Sequence, residues 1–159
     1  MQGRFLFLPF FLAASLASIF AGIEPKVHFR FDPNGFRGDS TQLIVNVSLP
    51  EGWHIQSYAP LDSFLIPTRV HAEGPGLEFG TPIYPKPVEE DFPALGGKVA
   101  LFQGSFDIRV PVKKASRKTG VAALKAVKVS LRYQACNNTQ CLPPREIVAS
   151  SDTASKKNP

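Results

Sequence analysis

Two runs of strict alternation constrain this chain more than any other feature. In residues 42–49, Leu43, Val45, Val47 and Leu49 fall on one face, with Gln42, Ile44, Asn46 and Ser48 on the other. In residues 124–135, the longest such run, Val127, Val129, Leu131 and Tyr133 oppose Lys128, Ser130, Arg132 and Gln134. A period of two with one apolar face is the pattern of a half-buried strand in an antiparallel sheet. After residue 22 no helical periodicity runs longer than two turns, and no internal repeat is visible. The 15 prolines and 12 glycines are spread along the chain, which cuts it into short strands joined by turns. The 159 residues suffice for one domain with a real core. The expectation is an all-β, two-sheet antiparallel β-sandwich of about eight short strands.

In chain order, residues 27–31 read as a first strand and 32–38 as a turn. Residues 42–49 follow, then the turn Pro50-Glu-Gly52. Residues 53–57 resume as a strand, 58–67 form a longer connection, and 68–72 form a strand closed by Gly74-Pro-Gly76. Residues 77–84 read as a short strand. Pro82, Pro85 and Pro87 deny it a regular ladder and place it at an edge. Residues 88–98, with Phe92, Pro93 and two glycines, read as an irregular loop, and a long loop in a compact domain is often functional. Strands at 99–102 and 105–112 surround Gly104, with Phe106, Ile108 and Val110 sharing a face. A last short strand covers 146–149.

The two ends read differently from this domain. Arg4 precedes the almost wholly apolar residues 5–20, and small residues follow at Ala17, Ser18, Ala21 and Gly22, the pattern of a secretory signal peptide. The apolar run is short for a spanning helix and Pro9 interrupts it, which argues against a retained membrane anchor. Cleavage fits after Ala17 or Ala21, and Ala21 is preferred. The division is thus a signal peptide over 1–21, a folded domain over 22–149, and a small, polar tail over 150–159 expected to be disordered. The formal charge is +5, and its one local cluster, Lys113, Lys114, Arg117 and Lys118, reads as a solvated loop. No aromatic-interleaved basic surface suggests nucleic-acid binding.

The chemistry concentrates in Leu131-Arg-Tyr-Gln-Ala-Cys136-Asn-Asn-Thr-Gln-Cys141-Leu-Pro-Pro144, which holds both cysteines. Cys136 shares parity with Lys128, Ser130, Arg132 and Gln134, so alternation points its thiol off the core, within reach of a partner. Asn137, Asn138, Thr139 and Gln140 are turn formers that would set Cys141 opposite Cys136. Facing strand residues lie about 4.5–5.5 Å apart at Cα, within the range a disulfide accepts. Pro143 and Pro144 deny donors to further pairing. Export favours an oxidised pair. As a plain staple, so short a loop contributes only about 2 kcal/mol. An exposed short-loop disulfide is also the kind that exchanges with thiols. From these residues alone, redox pair and staple both remain open. No metal site is expected, since two cysteines lack further ligands and His28, His54 and His71 are dispersed. No Ser-His-Asp motif supports a hydrolase. The sequons at Asn46 and Asn137 read as chance.

Tyr133-Gln-Ala-Cys136 and Cys141-Leu-Pro-Pro144 resemble the cysteine segment of the amino-terminal domain of DsbD-type thiol:disulfide interchange proteins. Weaker matches lie at Gly52-Trp-His-Ile55, Pro60-Leu-Asp, Leu65-Ile-Pro67, Tyr84-Pro, Glu90-Asp-Phe92 and Leu101-Phe-Gln-Gly104, so the resemblance spans about residues 27–149. It implies an immunoglobulin-like sandwich in the periplasm, with no small-molecule cofactor. It implies a pair that passes electrons from a thioredoxin-like protein or domain, fed by a membrane electron conduit, to oxidised exported proteins. Cys141 would form the mixed disulfides and Cys136 would resolve them. Phe92 would be the aromatic of a cap loop, flanked by Glu90 and Asp91. A carboxylate near a thiol disfavours the thiolate, so these two would damp or steer reactivity. Trp53, His54 and Tyr133 would lie near the pair. Family members continue into a membrane conduit and a thioredoxin-like domain, and the sequence as given ends at Pro159 with neither. The expectation is therefore a separate electron donor. Some members also space the cysteines differently. A disulfide-reductase component is the leading expectation. A non-catalytic binding sandwich with a structural disulfide is the alternative.

Overall fold

The computed structural model describes residues 23–92, 97–120 and 122–150. The expected signal peptide over 1–21 and the expected tail from 151 onward lie outside the described residues, and Ser150 is the last residue of the final strand. One layer pairs four antiparallel strands in the order β1 (Lys26–Phe31), β2 (Ser40–Ser48), β8 (Ser105–Lys114) and β5 (Leu77–Phe79). The long alternating run β2 sits between β1 and β8. It buries Leu43, Val45 and Val47 completely, as its parity requires. Each such side chain contributes about 1.5–3 kcal/mol by leaving water. β5 lies at an edge, where its prolines predict it.

The second layer is organised by one broken strand. β9 (Lys128–Tyr133) passes through Gln134 into β10 (Ala135–Cys136). β9 is flanked by β11 (Arg145–Ser150) and β4 (Arg69–Glu73). On the β4 side, β3 (His54–Gln56) continues the ladder along β10, with Ala135 opposite Ile55 and Cys136 opposite His54. β3 and β4 therefore lie along the same side of this broken strand, separated by the connection 57–68. Beyond β3 follow β7 (Gly97–Gln103) and β6 (Val88–Phe92). The main core lies between the layers. It packs Val45, Val47, Ile108 and Val110 with Ile55, Phe102, Val129, Leu131 and Tyr133. Antiparallel layers enclosing a common core make this an immunoglobulin-like β-sandwich.

Three local readings are corrected. Residues 88–92 and 97–98 are not irregular but paired strand, in which Val88 faces Leu101, Glu90 faces Val99 and Phe92 faces Gly97; residues 93–96 lie outside the described residues. Residues 124–125 belong to the single helical turn α1 (Ala122–Lys125), so the long alternating run becomes a strand only at Lys128. The described residues also hold eleven strands rather than about eight: residues 88–92 add β6, and the expected strand ending at Ala135 is split at Gln134 into β9 and β10.

Candidate functional site

The site lies on the outer face of the second layer, away from the main core. Along β3 and β7 the side chains alternate: Ile55 and Phe102 enter the main core, while Leu101 and Val99 join a second small cluster with Leu65 and Phe92. His54 and Gln56 take the outer parity on β3, as do Glu90 and Phe92 on β6 and Cys136 on β10, given the register. The connection 57–68 crosses this face. Gln134 anchors it, accepting from the Ile66 backbone N–H at 3.1 Å through Oε1, while its Nε2 donates to the Leu142 carbonyl at 3.4 Å. Leu65 is thereby seated on Phe92, Val99 and Leu101.

Cys136 and Cys141 form a disulfide with an S–S distance of 2.02 Å and Cα atoms 4.0 Å apart, closer than facing strand residues usually stand. The turn between them is closed by one side chain. Asn137 Oδ1 accepts from the Thr139 N–H, the Thr139 hydroxyl and the Gln140 N–H, each at 2.9 Å. An Asx side chain that folds back on the next backbone donors is the mechanism that makes such residues turn formers. Leu142 N–H then donates to the Ala135 carbonyl at 2.8 Å, which brings Cys141 back beside its partner.

The two sulfurs are not equivalent. Cys136 is fully buried, whereas Cys141 is only partly so. The parity argument was right that Cys136 leaves the main core and wrong that a partner reaches it. The outer face at that point is covered. Gln56 Nε2 donates to Cys136 Sγ at 3.4 Å, and Gln56 is itself completely buried. Of the two cysteines, Cys141 is the one left partly exposed.

The remaining expected residues are only partly brought together. His54 stands opposite Cys136 in the register and packs against Phe92, ring centroids 4.9 Å apart. Burial pushes the His54 pKa down, and the nearby Glu90 carboxylate opposes that shift. Its Nε2 has no hydrogen-bond partner among the described residues. Glu90 Oε1 accepts from Gln103 Nε2 at 3.0 Å. Trp53, His54, Glu90, Phe92, Gln103 and Asn138 line a cleft of about 460 Å³ that runs up to the cysteine turn. Asp91 is exposed and takes the opposite parity to Glu90, opposite Lys98. Tyr133 is not on this face. It lies in the main core, and its hydroxyl donates to the Ile23 carbonyl at 3.3 Å. Gln56 and Gln134 were not among the expected residues. Their signal was parity: Gln56 is two residues from His54 and Gln134 two from Cys136, each on the same face as its neighbour. Among the described residues no group of three or more His, Cys, Asp and Glu side chains is placed to hold a metal ion.

Residues 22–153 match the family described as the amino-terminal domain of the thiol:disulfide interchange protein DsbD. Among solved structures, the amino-terminal periplasmic domain of ScsB from Proteus mirabilis shares the fold. The TM-score is 0.51 at 12% identity, over 78% of this chain and 45% of that one. This chain thus spans less than half the length of that protein. Among curated proteins, none matches the chain in sequence. No helix among the described residues is long and apolar enough to cross a membrane.

Proposed function

This chain belongs to the family of DsbD amino-terminal domains, and on that premise we propose that it is a periplasmic thiol–disulfide exchange module working through Cys136 and Cys141. The observation that carries the proposal is the asymmetry of the pair: one cysteine fully buried, the other left partly exposed. A partner thiolate attacks Cys141 Sγ. The Cys136–Cys141 bond breaks, Cys136 leaves as thiolate, and a mixed disulfide joins Cys141 to the partner. A second partner thiolate then displaces Cys141, leaving the pair reduced by two electrons and the partner oxidised. Delivery runs in reverse. Cys141 thiolate attacks an oxidised exported protein, and Cys136 resolves the mixed disulfide and re-forms the bond. The donor is a thioredoxin-like protein or domain supplied by a membrane electron conduit. Phe92, held on His54 at the mouth of the cleft, limits access to the pair, and Glu90 sets the local charge. Export fits the amino-terminal signal pattern and keeps the pair in an oxidising compartment.

The test is a trap. With a thioredoxin-like partner, Cys136→Ser should accumulate a covalent complex through Cys141, stable to gel analysis without reductant. Cys141→Ser should not, because its one remaining thiol is buried. Trapping by Cys141→Ser alone would reverse the assigned roles, and trapping by neither would remove the exchange reading.

A further inference from the structure

The exchange reading leaves one buried group unused. Gln56 is fully buried: its Nε2 donates to Cys136 Sγ, while its Oε1 has no partner among the described residues. A native fold rarely leaves a buried amide oxygen unpaired without a reason. The backbone around Gln56 is fixed on both sides. Its N–H donates to the Gln134 carbonyl at 3.4 Å, and its own carbonyl accepts from the Thr68 hydroxyl. The register turns the Gln56 side chain to the same face as Cys136, and its carboxamide N–H meets the sulfur there.

We infer that Gln56 is a positioning residue for the reaction, the donor that stabilises the charge developing on Cys136 Sγ; the inference rests on the exchange reading above. When a nucleophile attacks Cys141, Cys136 is the leaving group, and negative charge appears on a sulfur closed off from water. An N–H already aimed at that sulfur is worth most at that moment, since charge-assisted hydrogen bonds are stronger than neutral ones and need no reorganisation here. The same donor serves the return step, where Cys136 thiolate attacks the mixed disulfide. A lower leaving-thiol pKa also speeds exchange. Among the described residues, the titratable groups on the strands of this face besides the cysteines are His54 on β3 and Glu90 on β6, and the connection that crosses it carries the exposed Tyr58 and Asp62; Asp91 and Lys98 take the opposite parity.

The experiment measures reduction of the disulfide by a water-soluble phosphine from about pH 4 to pH 8, as the ratio of variant to wild-type rate at each pH. Taking the ratio cancels the titration of the reagent. Gln56→Leu should be slowed about tenfold across the range, the size of one hydrogen bond to a charged group. Gln56→Glu keeps the shape. It should be slowed more at neutral pH, where its carboxylate repels the developing thiolate, and recover toward wild type as the carboxyl protonates and regains a donor. A purely structural role has no reason to produce that recovery, and the profile decides the matter even if Gln56→Leu fails to fold. Ratios within twofold of one at every pH for Gln56→Glu would overturn the inference. Exchange of the wild-type protein with a thioredoxin-like protein is measured alongside. If the wild type exchanges while the ratios stay flat, Gln56 alone is misassigned. If the wild type is inert, the exchange reading has failed, and the inference with it.

Discussion

His54 is a buried imidazole with an unpartnered Nε2, set opposite Cys136 and against the Phe92 ring. Burial holds its pKa below the ordinary value, so the folded protein resists charging it more than the unfolded chain does. The unfolded chain therefore binds the proton more readily. The stability contributed by neutral His54 is complete above the ordinary histidine pKa of about 6.5 and is lost as pH falls from there through the depressed folded value. The urea midpoint should fall between about pH 7.5 and pH 5, and His54→Gln should remove part of that slope. Glu90→Gln should steepen it, because the carboxylate is what partly offsets the burial. Superimposable slopes for all three proteins would show that His54 stays uncoupled from folding. None of this was legible from His54 as a residue, since a histidine in a strand is ordinarily unremarkable. Its meaning comes from the register that sets it beside the cysteine.

Among the elements, β2 and β9 were legible because each has one face wholly in the main core, so their alternation is written in residue types. The β6–β7 hairpin was not. β6 is an edge strand whose Val88, Glu90 and Phe92 face outward over a small cluster, so its period-two pattern carries only one fully buried apolar side chain. Pro93 and the two glycines after it made the whole stretch read as loop. The cysteine turn was legible from Asn137 onward, but the cover over Cys136 was not, because it comes from β3 and from the connection 57–68, far away in sequence. The hairpin's hold on the site rests on Phe92, which packs on Leu65, Val99 and Leu101. Phe92→Ala should cost about 3 kcal/mol in stability, at the low end of the range for a buried phenylalanine. It should also speed reduction of the pair by a small thiol severalfold. A stability loss with no change in that rate would make Phe92 a core residue without a capping role.

At the scale of the whole molecule, the sandwich separates two jobs. The main core between the layers holds the fold together, and the outer face of the second layer carries the cysteine pair over a small cluster of its own. Opening a bond that closes so short a loop removes only about 2 kcal/mol, so the proposed exchange would cost the fold little stability. The fold class was readable because alternation and turn residues suffice for it. The choice between redox pair and staple was not, because the same two cysteines serve either purpose. The central claim, that the pair exchanges electrons rather than stapling the turn, is tested most directly by its midpoint potential in a glutathione redox buffer. A value above about −300 mV is predicted, within reach of thioredoxin-like partners. A value below that would contradict the account and mark the bond as structural.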